Sequence, residues 1–167
     1  MAQQEDINNK LIRQISDAFA GVTLGSGLSL PQARQADVCW TPDCKQVKSA
    51  PRDDATRNWS EVPLNTLFKH RHELCFLDAA GFRFYIPSFM TSVLHDPEGD
   101  VGRTVVPYLL TQGPSGLRTK GLSRMQAVSV AAFLEHMSKL APELFTPSHT
   151  KTLSLLSQWA NAGKLHE

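Results

Sequence analysis

The segment His70-Arg71-His72-Glu73-Leu74-Cys75 gathers two imidazoles and a thiol in six positions, and Cys39 and Cys44 supply two more thiols upstream. Such side chains bind zinc. Their spacing does not suit it: His-x-His followed by Cys after two residues matches no standard finger, and Cys39 and Cys44 stand four residues apart, not two as in a CxxC knuckle. We therefore expect no metal and no cofactor, and read His70, His72 and Cys75 as part of a basic helix end whose imidazoles sit near backbone carbonyls. A zinc-stabilised module is kept only as a third reading.

The other chemical signals fade in the same way. Asp96, Glu98 and Asp100 alternate like a calcium loop, but Val101 and Pro107 stand where the EF-hand needs its glycine and its closing glutamate. "GPSGLRTKG" lacks the Gly-Lys-Ser/Thr of a phosphate loop, and no GxSxG elbow or cysteine-nucleophile signature occurs. Asp53 and Asp54 sit in a polar stretch where nothing desolvates them toward a catalytic pKa. Asp78 alone among the acids is embedded in an apolar segment, "FLDAAGFRFYIPSFM".

That segment sets the expected architecture. "LCFL" reads as a strand, and "FRFYI" alternates Phe82, Phe84 and Ile86 against Arg83 and Tyr85. The pair predicts an antiparallel β-hairpin, with Asp78 and Gly81 as turn residues. Pro87 is then expected to open a helix carrying Phe89, Met90, Val93 and Leu94. Around the hairpin the pattern is helical. Ile7, Leu11, Ile15 and Phe19 predict an amphipathic helix over 5–20 that Gly21 ends, with Arg13 and Asp17 on its polar face. Ser29 and Pro31 predict a short helix over 31–36. Val62, Leu67 and Phe68 mark another short helix, and Val105, Val106, Leu109 and Leu110 a further one that Pro107 weakens. Ser123 and Gln126 have capping-box spacing ahead of Val130, Phe133, Leu134, Met137 and Leu140. The last helix follows Thr146 and Pro147 and stops before Gly163, with Leu153, Leu156 and Trp159 inside it. Residues 41–58 hold Val47 as their only aliphatic side chain larger than Ala, which predicts a long polar loop. The expected fold is α+β: one helix-dominated domain over 1–167 with a small hairpin packed on the helices.

Composition narrows the function classes. In a chain of 167 residues, 41% hydrophobic and 20% charged side chains indicate a globular domain, and a formal charge of +1 disfavours nucleic acid and anionic membranes as partners. No apolar run approaches the roughly 18 residues of a membrane span, and the acidic, amide-rich "MAQQEDINNK" is unlike a secretory signal. The cytosol is the expected compartment, where the odd number of cysteines should remain thiols and form no disulfide framework.

Leu77 to Met90 resembles an uncharacterised bacterial family with the core Leu-Asp-Ala-x-Gly-Phe-Arg-Phe-Tyr-x-Pro-x-x-Met; Ser123 to Met137 is similar more loosely, and Ile15 to Asp37 forms a third, weaker block. The resemblance implies a small, bacterial, cytosolic, single-domain protein, and by analogy an immunity or accessory protein of bacterial competition. The leading expectation is a non-enzymatic protein-binding protein, an immunity-type inhibitor of a toxin. Arg83 and Tyr85 on the outer face of the hairpin, with Asp53, Asp54 and Arg57 in the polar loop, are the expected partner-binding residues. The alternative is a hydrolase or transferase of unrecognised type, with Asp78, Arg83, Tyr85 and His72 around a pocket. A deep pocket with converging polar groups favours the enzyme, and a flat or loop-rimmed surface the binder.

Overall fold

A computed structural model of the chain describes residues 2–39, 44–52, 58–145 and 149–162. Within them the protein is helical, with no β-strand. The helices are α1 (Ala2–Ala18), α2 (Leu30–Cys39), α3 (Lys45–Ser49), α4 (Leu64–Lys69), α5 (Ala79–His95), α6 (Asp100–Gln112), α7 (Arg124–Leu140) and α8 (His149–Ala162), joined in places by short 3-10 turns.

The expected hairpin does not form, and with it the α+β class falls. Arg71–Phe76 is a 3-10 helix, and the chain from Ala79 runs as the unbroken helix α5. Asp78 is its N-cap: the carboxylate accepts the Gly81 amide at 2.8 Å and, from outside the helix, the Leu28 amide at 3.1 Å. The expected strand over 82–86 fails for a physical reason. Every residue from Phe84 to Met90 is buried, so the segment shows no polar stripe, and the alternation around Arg83 imitates a strand. A helix that is apolar all round belongs at the centre of a bundle. There α5 packs against α1, α4, α6 and the 3-10 turns Trp59–Glu61 and Thr119–Gly121.

Neither proline stops its helix. Pro87 lies inside α5 and Pro107 inside α6. Each lacks an amide for the carbonyl four residues back. That carbonyl belongs to Arg83 in one helix and Arg103 in the other, both exposed residues. Ser88, next along α5, donates its hydroxyl to the Trp59 carbonyl at 2.5 Å and ties the helix to the 3-10 turn there.

The N-terminus of α5 meets the 24–29 loop backbone to backbone. A Cβ on Gly27 would stand 2.6 Å from the Gly81 amide nitrogen, and one on Gly81 would stand 2.5 Å from the Leu28 carbonyl oxygen. Only glycine fits both sides of that crossing. Arg52 braces the loop, donating to the Gly25 and Gly27 carbonyls and to Gln32 Oε1, each at 2.9 Å.

The amphipathic helices stand where periodicity puts them. Leu11, Ile15 and Phe19 turn inward, Ile7 of the same expected stripe stays 42% exposed, and Gly21 follows α1 at φ +72°. α7 begins with the predicted capping box: Ser123 Oγ accepts the Gln126 amide, and Gln126 Oε1 accepts the Ser123 amide. A second Ser-x-x-Gln box, Ser29 with Gln32, opens α2. Thr146, Pro147 and Gly163, the expected boundaries of the last helix, lie outside the described residues, but Trp159 is fully buried and donates its indole N–H to the Leu109 carbonyl. The polar 41–58 stretch is interrupted by α3, which buries Val47, its one aliphatic side chain larger than Ala.

The expectation of free thiols fails for one pair. The end of α2 and the start of α3 bring Cys39 and Cys44 to a Cα separation of 6.1 Å, and their sulfurs are bonded. Cys75 is a free thiol.

Candidate functional site

The expected binding residues do not form one surface. Arg83 is exposed on α5, but Tyr85, two residues on, is fully buried, its ring set edge-on to Phe84 at 4.9 Å between centroids. On a helix those positions point apart, so the pair lost its shared face with the hairpin. Asp53, Asp54 and Arg57 lie outside the described residues. Of the residues named for an enzyme, Asp78 is occupied as a cap, His72 is exposed, and Tyr85 is in the core. They do not converge.

The side chains of "HRHELC" split as well. His70 is 5% exposed, with Nδ1 at 3.8 Å from Glu73 Oε1, too long for a hydrogen bond. Burial works to raise the Glu73 carboxyl, but the His70 ring, its own backbone and the Arg34 guanidinium together hold it below the ordinary carboxylate range. Burial pushes the Cys75 thiol up, only partly opposed by Arg118, which leaves a poor nucleophile. Tyr108 is raised for the same reasons in the same order. Arg118 donates through Nε to the Leu77 carbonyl at 2.6 Å and so fastens the loop before α7 to the entry of α5. The candidate zinc ligands are not assembled: Cys39 and Cys44 hold each other, and among the described residues no three His, Cys, Asp or Glu side chains stand together as a metal site.

A different region has the geometry of a site. α1 and α7 pack side by side, and Ser129, 1% exposed, lets them approach closely: its hydroxyl lies 3.5 Å from the Gln14 carbonyl. Beside this contact lies a groove of about 640 Å³. Lys10, Arg13 and Asp17 form the α1 wall; Arg124, Met125 and Val128 form the α7 wall, with Ala18 and Ser129 between. Met125 is 63% and Val128 40% exposed, although α7 already buries Val130, Phe133, Leu134 and Met137 on its core face. Arg124 also borders a second cavity of about 640 Å³, lined by Lys120, Ser123, Gln158 and Asn161 toward the end of α8.

The sequence did not single these residues out. Arg13 and Asp17 read as an ordinary solvent face, and Met125 and Val128 disappear among the core residues of the same helix. A signal was nevertheless present: α7 carries more apolar positions than one stripe of a helix can bury, and the surplus lies on the side next to α1.

A model of a family of unknown function, DUF6714, matches residues 7–162, and the chain belongs to that family. No curated protein matches the chain. No solved structure does either.

Proposed function

We propose that the protein is a non-enzymatic protein-binding protein and that the groove between α1 and α7 is where it docks. The observation that carries this is the exposed Met125–Val128 pair on the wall of a preformed groove. Covering each of these side chains on docking contributes on the order of 1–2 kcal/mol. Helix-in-groove recognition uses a few apolar anchors of this kind with a polar rim. The dispersal of Asp78, His72, Arg83 and Tyr85 supports this reading over the alternative, a hydrolase or transferase with those side chains around a pocket.

The test is capture from the native cell with the full chain and with Met125→Asp/Val128→Asp. We expect the wild type to recover a protein partner in stoichiometric amount and the variant to recover at least about tenfold less, with unchanged circular dichroism. Equal recovery by both, or no stoichiometric partner, would overturn the reading. In its immunity-type form the partner is a toxin, and co-expression of the wild type but not the variant protects a cell producing it.

No helix among the described residues is long and apolar enough to cross a membrane. The cytosol is our reading of the compartment, and the Cys39–Cys44 bond weighs against it, since disulfides there are usually transient. Alkylation of thiols at the moment of lysis, read by mass spectrometry, decides: one blocked cysteine supports a disulfide-forming compartment, and three support a reducing one.

A further inference from the structure

We infer that the occupant of the groove is an amphipathic helix of another protein, with carboxylates flanking its apolar stripe. This rests on the docking reading above and adds the chemistry of the partner. Lys10 and Arg13 are exposed along the α1 wall, and among the described residues neither is engaged in an ion pair. Arg124 adds a third cation on the opposite wall, against one carboxylate, Asp17. An apolar strip between cationic walls complements an apolar strip between anionic ones.

The groove itself excludes the other occupants. A second copy docked face to face would bring the Lys10 and Arg13 of one chain near those of the other, since a two-fold contact sets the same patch against itself. Single-stranded nucleic acid binds on stacked aromatic rings, and no aromatic residue lines the groove. Strand addition needs a sheet edge, and the described residues contain no strand; extended proline-rich segments dock in aromatic-lined grooves, and no aromatic residue lines this one. From Lys10 to Ala18, α1 offers about 12 Å of wall. That length takes about two turns of helix, enough for anchors at i, i+3 or i+4, and i+7.

The probe is a synthetic helix-forming peptide of roughly 15 residues with leucines at those spacings and glutamates on both flanks. Its twin carries lysines in place of the glutamates. By fluorescence anisotropy with the full chain, we expect the glutamate peptide to bind at least about tenfold tighter, with the gap narrowing as salt rises. Lys10→Glu/Arg13→Glu should reverse the preference, and Met125→Asp/Val128→Asp should weaken both peptides. Circular dichroism of each variant verifies folding. Equal binding of the two peptides, or a preference that survives Lys10→Glu/Arg13→Glu, overturns the inference. If native capture depends on Met125 and Val128 while the peptides show no preference, docking stands and the acidic helix falls; if capture also fails, both fall. A dimer in sedimentation that Val128→Asp abolishes, or a single-stranded oligonucleotide bound more tightly than the glutamate peptide, overturns it too.

Discussion

α5 and α7 are both 17 residues long, and both begin on a side chain that accepts the amide three residues on, Asp78 in one and Ser123 in the other. α5 then spends its apolar surface inside: Phe82, Phe84, Tyr85, Ile86, Phe89, Met90 and Val93 are all 0% exposed. α7 buries one stripe and leaves Met125 and Val128 in the open. Where the apolar side chains are fully used by the fold, the segment builds the molecule and has nothing left to offer a partner. Where a surplus remains, beside Lys10 and Arg13, which no ion pair engages among the described residues, the segment keeps apolar surface that the docking proposal can use.

The largest effect should therefore come from the helix whose large apolar side chains are all inside. Phe84→Ala removes a fully buried ring and leaves a cavity, so we expect a loss of about 3–5 kcal/mol in urea denaturation. A loss under about 1 kcal/mol would mean that α5 is not the centre of the core and would break the contrast with α7.

α5 was also where the sequence was least legible, for the same physical reason. Helix and strand are told apart by which positions are polar, and a helix buried on every side supplies almost none. Arg83, exposed between Phe82 and Phe84, was enough to imitate alternation. α1, α7 and the second half of α8 were legible because they keep a polar face, and the Ser123–Gln126 box marked the start of α7 within a residue. The groove was hidden because a periodic pattern says that a side chain is apolar, not that the interior has room for it. Only the packing shows that Met125 and Val128 lie beyond the stripe filled by Val130, Phe133, Leu134 and Met137. The Cys39–Cys44 bond is not legible in the sequence because the 6.1 Å Cα separation that permits it comes from how α2 and α3 meet, and spacing alone does not show that.

The two caps sharpen the comparison. Asp78 serves its own helix and the Leu28 amide, so it joins α5 to the loop crossing at Gly27. Among the described residues the Ser123 hydroxyl accepts the Gln126 amide of its own helix. Asp78→Ala should cost about 2 kcal/mol and Ser123→Ala about 1 kcal/mol, both by urea denaturation. Equal losses would mean that the Leu28 bond adds nothing. Smaller still is Val128→Asp, for which we expect a change within about 0.5 kcal/mol, because the side chain stands on the surface. A larger loss would place Val128 in the fold's service and remove the main support for docking.

The smallest effect should come from the link between the two helices. His136 of α7 contacts Asn8 Oδ1 at 2.8 Å through Nε2 and the Gln4 amide nitrogen at 3.0 Å, while Asn8 Nδ2 donates to the Leu94 carbonyl at the end of α5. Burial, and then the Lys139 ammonium, hold the ring below its ordinary pKa of 6.5. The folded protein thus binds that proton less readily than the unfolded chain, and stability rises with pH across the interval between the two values. The stabilisation is complete above 6.5 and is lost as pH falls through the folded-state value. Glu73, also lowered, acts with the same sign but below 4.5, so the two windows are separate. Wild type should lose more stability than His136→Gln between about pH 7.5 and pH 5.5, and the two should run parallel above that window. Parallel curves throughout would mean that the α1–α7 contact takes up the proton without strain, leaving Asn8 as a bridge to α5 that does not depend on the charge of the ring.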